Sequence, residues 1–442
     1  MSSSCRKLYV ALGAGALLGL GHSAARADNW EFLPRLEGGG TYNDNYRLSE
    51  TPAGKVQVYG PYIDAQFAAD LLSPTSKLEI VPRVHSTFFP TDHADQSTDG
   101  YLTIDGDKKT LRSDFSGIAE YGNETVIYSE LPAATFPGVA LGQPTTGVSG
   151  RVSVRNRRRY ERALPKYQFD FTQRTHLDLN ADLEHVSYDQ ALIEEVGYTS
   201  YTGGAGIGFD VSPRSVFTVM GVGSHFVPQT GGSNTNNYGV NAEWDLRQSQ
   251  IAQFYARLGV NQTRANVPIT TVAIAQTTVG RRTVTTTTTT TTNSTVSSTG
   301  VVGGIGVDLR YQVTEVTIDA MRALTPSAEG AVVVDDEVRF RVLHAFEPRF
   351  SGFLGLRGMR LRGVSNQQGL NVQGEDYATA EGGVDYQITQ SYRLEAAYDF
   401  TWQRFPGEPT ASSNAVRLAI IYQPLSRYEP LPEMTGIPQE PR

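Results

Sequence analysis

The segment that decides the fold reads Tyr392-Arg393-Leu394-Glu395-Ala396-Ala397-Tyr398-Asp399-Phe400-Thr401-Trp402. Its even-numbered positions are apolar or aromatic, and its odd-numbered positions are mostly charged or polar. Because side chains alternate between the two faces of a β-strand, the pattern predicts a strand with one apolar and one polar face. At about 11 residues, the segment also has the length of a tilted strand that crosses a bilayer.

Alternation of this kind recurs along the chain and predicts an all-β fold, a transmembrane antiparallel up-and-down β-barrel of about 18 strands. The alternative is about 16 strands, if 99–109 and 164–172 do not form strands; either even number returns both barrel ends to one side of the membrane. The predicted strands are 30–43, 56–70, 77–88, 99–109, 114–127, 164–172, 176–188, 198–210, 214–226, 237–247, 251–264, 300–313, 315–324, 336–346, 349–361, 376–388, 391–404 and 412–423.

The connections predict which end of the barrel is which. Short polar turns at 73–76, 172–175, 212–215, 247–250 and 389–391 alternate with longer connections, and short turns are typical of the periplasmic rim. A soluble β-sandwich would also alternate, but it has no reason to place aromatic residues at one height on its apolar face. Near the predicted periplasmic ends such a girdle is formed by Trp244, Tyr311, Tyr386 and Tyr422.

The two ends of the chain differ in composition from the middle. Residues 1–27 combine a basic start, an apolar run over 8–20 and the small residues of Ala25-Arg26-Ala27, which predicts a signal peptide and export. The single cysteine, Cys5, lies in this segment, so the mature chain has no thiol chemistry. The barrel is expected over 28–423, followed by a Pro-rich periplasmic tail, 424–442, which is either a plain extension or a docking segment for a periplasmic export partner.

Composition and motifs exclude several classes of function. The formal net charge of −8 disfavours nucleic acid as a partner. Motifs of serine hydrolases, zinc proteases, phosphate-binding loops and dinucleotide-binding folds are missing, so we expect neither an enzyme nor a cofactor or metal site.

Two long connections carry distinctive sequences. The predicted loop 128–163 contains a basic run that includes Arg157, Arg158 and Arg159. If this loop folds inward, the three arginines would narrow the pore and favour anions such as acidic saccharides. Alternatively, the run is the polar top of the sixth strand and faces lipopolysaccharide phosphates. The tract 265–299 contains an unbroken run of threonine over 285–292 and is expected to be a solvated loop, with an adhesive role as the alternative.

The polar faces of the strands carry charges that we expect to line the lumen. Basic residues fall on the C-terminal strands and acidic residues on strands seven to ten, roughly across the barrel, which predicts a transverse field that orients charged solutes. The alternative is that these charges only neutralise one another. The candidate pore-lining or solute-binding residues are Arg339, Arg341, Arg357, Arg393, Arg417, Asp178, Asp182, Glu184, Glu243 and Asp245.

The start of the mature chain, Asp28-Asn29-Trp30-Glu31-Phe32-Leu33-Pro34-Arg35 followed by Tyr42-Asn43-Asp44-Asn45, resembles a family of outer-membrane β-barrel porins. Members of that family are associated with the production and secretion of exopolysaccharide or capsule. The resemblance implies a single barrel over 28–423 and a link to surface polysaccharide.

The sequence therefore predicts a pore in the bacterial outer membrane, in contact with outer-membrane lipid and lipopolysaccharide, for diffusion or export of hydrophilic solutes, among them a saccharide. Two other classes stay open: an outer-membrane enzyme acting on lipid or polysaccharide, and a structural or adhesive barrel with a plugged lumen.

Overall fold

The computed structural model describes residues 29–90, 95–126, 156–190, 195–230, 233–279, 282–364 and 374–424, with the backbone alone over 267–293. The predicted signal peptide and nearly all of the predicted tail lie outside these residues. None of the described residues forms a helix long and apolar enough to cross a membrane. The strands are β1 Asn29–Asn43, β2 Val58–Ser73, β3 Ser76–Thr87, β4 Ser97–Lys109, β5 Ser113–Thr125, β6 Arg157–Asp170, β7 Thr175–Tyr188, β8 Tyr198–Ser212, β9 Ser215–Pro228, β10 Asn234–Arg247, β11 Ala252–Val279, β12 Arg282–Arg310, β13 Thr314–Ser327, β14 Ala331–Glu347, β15 Phe350–Gly363, β16 Glu375–Gln387, β17 Tyr392–Arg404 and β18 Ala411–Tyr422.

Eighteen strands form one closed antiparallel sheet in which each strand pairs with its neighbours along the chain. The barrel closes where β1 pairs with β18, over a register that runs from Leu36↔Tyr422 to Asn43↔Ala415. Closure leaves the sheet without free edges along its wall, which is the condition for a sheet to cross lipid. The prediction of an eighteen-stranded up-and-down barrel is confirmed, and the alternative of sixteen strands is excluded.

Large apolar side chains lie on the outside of the barrel, whereas polar ones are enclosed. On β10, Tyr238, Val240 and Trp244 are 56%, 59% and 45% exposed, while Asn237, one residue before Tyr238, is 8% exposed. This is the reverse of a water-soluble β-protein and fits a wall whose outer face meets acyl chains. The aromatic residues Trp244, Tyr311 and Tyr386 are exposed near the short turns, and Tyr422 packs on Tyr392 at 5.1 Å between ring centroids. Their placement matches the predicted girdle.

Strand β6 begins earlier than the sequence predicts. It starts at Arg157 rather than at 164, and it pairs there with Thr125 of β5. The expectation that Arg157, Arg158 and Arg159 belong to a loop is therefore wrong, and the alternative, that they form the top of the sixth strand, is correct. Charged residues are tolerated at this height because the strand end lies beyond the apolar belt. Residues 160–163 of the predicted loop also belong to β6, and 128–155 fall outside the described residues.

The threonine tract is also a strand rather than a loop. Strands β11 and β12 stay paired up to Val279↔Arg282, so the run over 285–292 is part of β12. Pairing of β11 with β10 ends at Asn266, and pairing of β12 with β13 begins at Gly303. Threonine is β-branched and favours extended backbone, which explains why the tract forms a strand although its low hydrophobicity predicts a loop. Beyond the wall the two strands form a ribbon over 267–279 and 282–294, which we call the threonine ribbon.

The first outer loop, 44–57, folds over the outer mouth. Its Leu48 is 5% exposed and has a φ of 48°, a left-handed backbone that a leucine rarely adopts. The bidentate pair Arg47–Asp95, at 3.0 Å, ties the loop to the connection between β3 and β4. Leu48 packs on a cluster on the inner wall that contains Val333, Met359, Leu361, Tyr377 and Ala411.

The hairpin tip between β13 and β14 reaches across the mouth from the other side. The Ala328 carbonyl accepts a hydrogen bond from the Val196 amide at 2.7 Å, and the Gly330 carbonyl accepts one from the Ser233 amide at 3.3 Å. Both donors belong to connections of strands several positions away around the barrel. Val332 completes the contact by packing on Val186, Tyr198 and Phe226. Together with the first outer loop, this tip narrows the outer mouth.

Candidate functional site

The candidate site is the inner face of the wall, and cross-strand register defines which residues belong to it. The residues opposite one another in the ladders, such as Glu381↔Asp399 and Glu243↔Arg257, share that face from strand to strand around the barrel. Among these inward positions, acidic residues outnumber basic ones by roughly two to one, so a solute in the lumen meets a net negative wall. Neither strand length nor overall composition reveals this excess.

The five acidic candidates all occupy inward positions, with basic residues nearby. Asp182 receives two hydrogen bonds from Arg162, at 2.7 and 3.0 Å, and Glu243 lies 2.6 Å from Arg257. Glu184 is buried beside Arg158 at 3.6 Å, and Asp178 lies 3.3 Å from His176. Asp245 lines a cavity of about 590 Å³ near the periplasmic turns, together with Asp170, Asp178 and Asp210.

The basic candidates also lie on the inner face, each close to an acidic partner on a neighbouring strand with one exception. Arg339 is 2.6 Å from Asp319, and Arg357 is 2.6 Å from Glu337, where both side chains are fully buried. Arg393 pairs with Asp385 at 3.1 Å, and Arg417 lies between Glu381 and Glu395 at 3.3 and 3.1 Å. Arg341 has no ion pair within the described residues. The pairing is therefore local, between adjacent strands, rather than between two opposed walls.

The three consecutive arginines at the start of β6 do not act together. Arg158 points inward, is buried, and lies between Glu124 at 3.5 Å and Glu184 at 3.6 Å, with its guanidinium over the Tyr160 ring at 5.2 Å. Arg159, on the opposite face, is half-exposed and binds Asp189 at 2.6 Å. Arg157 donates to the side chain of Asn123 at 3.0 Å and to Asp99 at 3.2 Å. The three arginines therefore do not form a cluster that narrows the pore.

Several inward carboxylates are not among the candidate residues chosen from the sequence. Asp105, Glu120 and Asp399 face the lumen from β4, β5 and β17, and among the described residues they form no ion pair. Their positions on the polar faces of predicted strands were a sufficient signal, since each alternates with apolar neighbours. What could not be read from the sequence is the residue opposite each of them. Register gives Asp105 and Asp399 no cation opposite, whereas Glu120 lies opposite Arg162, whose guanidinium binds Asp182 instead. In the described part of the chain, no group of three or more His, Cys, Asp or Glu residues is placed to hold a metal ion.

The space inside the barrel is divided. A second cavity, of about 150 Å³, lies among β8 to β13 and is lined by polar side chains such as Asn237, Asn241 and Arg257. Inward aromatic residues such as Tyr62, Tyr198 and Tyr377 are buried rather than presented to the lumen. These three aromatic side chains therefore add little to the inner surface, and the side chains named above make the lining of the second cavity polar and amide-containing.

A closed barrel with an apolar outer belt, a polar lumen and an aromatic girdle has the architecture of proteins that span the bacterial outer membrane. No protein-family model and no curated relative matches the chain. Among solved structures, it is similar to OccAB3 of Acinetobacter baumannii, at 10% identity over 89% of this chain and 99% of that one, with a TM-score of 0.42. It is similar to OccK2 (OpdF) of Pseudomonas aeruginosa, at 10% identity over 89% and 97%, with a TM-score of 0.41. It is also similar to the ferric-catecholate import receptor Fiu of E. coli K12, at 8% identity over 90% and 82%, with a TM-score of 0.42.

Proposed function

We propose that this chain is an outer-membrane diffusion channel for small hydrophilic solutes, and that it prefers cationic and neutral solutes to anionic ones. The observation that carries the proposal is the excess of acidic residues on the inner face, of which Asp105, Glu120 and Asp399 form no ion pair within the described residues. In a narrow lumen with a low-dielectric wall, uncompensated charge of one sign concentrates counter-ions and solutes of the opposite sign.

The inward arginines do not reverse this preference. Arg339, Arg357, Arg393 and Arg417 each lie within hydrogen-bonding distance of a carboxylate, so their charge is compensated locally. At these four positions, an anion that enters the lumen would have to displace a carboxylate that already lies beside the guanidinium. Arg341, which forms no ion pair within the described residues, is the exception and is one cation against three unpaired carboxylates. This supports a cation preference over the preference for acidic saccharides expected from the arginine run.

The link to surface polysaccharide that the sequence resemblance implies is the finer part of the proposal. Neutral saccharides fit the amide-rich lining, whereas acidic ones meet a wall of the same sign. We therefore propose a role in the passage of neutral saccharide chains, and not of acidic ones. The C-terminal tail, proposed as a docking segment for a periplasmic export partner, would serve the same role.

The test is reconstitution of the mature chain in planar bilayers under a salt gradient. We expect discrete conductance steps and a reversal potential of the sign given by cation preference. A reversal potential of the opposite sign would exclude the proposed selectivity. A folded barrel that conducts nothing would instead favour a structural or adhesive barrel with a plugged lumen. Liposome swelling with neutral and acidic sugars of equal size then tests the saccharide part.

A further inference from the structure

A row of alternating charges crosses five neighbouring strands on the outside of the barrel. Direct cross-strand register joins Arg322↔Asp336, Asp336↔Arg360, Arg360↔Asp376 and Asp376↔Arg404. We call these five residues the arginine–aspartate ladder. Arg322 binds Asp336 through Nε at 2.5 Å and Nη2 at 2.9 Å. Asp376 accepts hydrogen bonds from both Arg360 and Arg404.

The ladder lies at the outer end of the apolar belt. One outward position nearer to the periplasm, the same five strands carry the uncharged residues Ala320, Val338, Gly358, Ala378 and Trp402. The Arg404 guanidinium lies over the Trp402 ring at 5.9 Å, and tryptophan is typical of the boundary between acyl chains and headgroups. The ladder therefore sits at the height of the headgroups of the outer leaflet.

The three guanidinium groups keep donors free for a ligand. Their side chains are 49%, 51% and 50% exposed, whereas the two aspartates are 25% and 20% exposed. Each aspartate binds one edge of a guanidinium, and an arginine has five N–H donors, so the remaining N–H groups point outward. With three positive and two negative charges, the row keeps a positive excess. Because adjacent strands are about 4.8 Å apart, the backbones of successive arginines are about 10 Å apart, although the side chains of Arg360 and Arg404 converge on Asp376.

We propose that the arginine–aspartate ladder is a binding site for phosphorylated saccharide lipid of the outer leaflet, with its three arginines placed to bind the phosphates. Planar guanidinium groups match phosphate geometry with two parallel hydrogen bonds, and pre-orientation by the aspartates lowers the cost of ordering them. The source is the membrane rather than free phosphate, because the site opens onto the lipid-facing side.

The test compares two variants that break the same ion pairs. The first, Arg322→Gln with Arg360→Gln and Arg404→Gln, removes the donors; the second, Asp336→Asn with Asp376→Asn, removes the carboxylates and keeps the donors. The full mature chain of each is folded in nanodiscs that contain phosphorylated or enzymatically dephosphorylated lipopolysaccharide, and bound lipid is measured by native mass spectrometry. Conductance, which depends on the lumen, serves as the control for folding.

We expect the arginine variant to retain less than about a tenth of the phosphorylated lipid. We expect the aspartate variant to retain most of it, since the donors that bind phosphate remain although their pre-orientation is lost. Equal loss in both variants would mean that the ladder acts only as a structural network, and it would overturn the proposal. So would undiminished binding by the arginine variant, or equal binding of the dephosphorylated lipid. Displacement of the lipid by millimolar inorganic phosphate would show a site for free phosphate and would overturn the assignment to lipid.

Discussion

Replacing Arg357 by methionine tests how the lumen tolerates buried charge. Arg357 Nε lies 2.6 Å from Glu337 Oε1, and neither side chain has any exposed surface. In the variant, Glu337 would remain buried with only Arg339 Nε near it, at 3.9 Å, and Asp335 on the same face is also buried. Leaving one partner of a buried pair uncompensated costs about 3 to 5 kcal/mol, so we expect a loss of that size in the free energy of unfolding.

The double variant Arg357→Met with Glu337→Gln separates loss of the pair from loss of packing. It removes both charges, and replacing a whole buried pair is often close to neutral, so most of the lost stability should return. Recovery should be incomplete because Asp335 also loses the nearby positive charge. The outward variant Arg360→Gln, on the same strand, is the matched control, and we expect it to change stability little because its ion pair is exposed to solvent.

The assay is urea unfolding of the barrel in lipid vesicles, followed by the fluorescence of Trp30, Trp244 and Trp402, which all lie on the outward face. If Arg357→Met cost no more than Arg360→Gln, the lumen at this height would be hydrated and the reasoning would be refuted. A double variant as unstable as the sum of its single variants would equally contradict it, since the cost would then come from packing.

Three further predictions concern the pore. The first replaces the hairpin tip 326–332 by Asn-Gly, so that a two-residue turn joins Thr325 to Val333, which already face each other. We expect removal of the tip to raise single-channel conductance; unchanged conductance would show that the tip does not limit the outer mouth. The second replaces 267–294 by Asn-Gly and keeps the Asn266↔Thr295 pair. We expect unchanged folding by heat-dependent gel mobility and unchanged conductance in bilayers. A misfolded barrel would show that the wall needs the ribbon in order to fold. The third is the triple variant Asp105→Asn, Glu120→Gln and Asp399→Asn, which should shift the reversal potential toward that of an anion-selective pore. The control, Glu161→Gln on the outer face, should cause no shift. An equal shift in both variants would argue that charges in the lumen do not determine selectivity.

Alternation alone predicted most of the fold, because the two-residue period of a strand links sequence parity directly to a face. In Tyr392–Arg404, parity correctly assigns Tyr398 to the outside, where it is 47% exposed, and Gln403 to the inside, where it is 4% exposed. The same rule works less well at strand ends. Arg157, Arg158 and Arg159 break no apolar pattern because nothing at the outer rim requires one, so the start of β6 could be found only from its partner, Thr125.

The threonine ribbon was missed for a different reason. Low hydrophobicity is a good sign of a loop when a segment must pack against a core, but a two-stranded ribbon needs only backbone pairing and suitable local propensity. A run of one residue type also carries no alternation, so its faces and register cannot be read from the sequence. In this chain the register of the ribbon is set at the barrel wall, where β11 and β12 are already paired at Asn266↔Thr295.

Charge placement in the lumen shows where parity stops being informative. The sequence correctly places Glu243 and Arg357 on inward faces, yet the field inside a barrel depends on which charge lies opposite each one. That depends on the register with the next strand, which brings Arg257 to Glu243 and leaves Asp105 facing Ile118. A one-residue shift would turn each strand inside out, so the apolar outer belt indirectly fixes every charge pair within. If the proposed function is correct, the carboxylates that this register leaves without an ion pair set the selectivity of the pore, and the number of arginines in the chain does not.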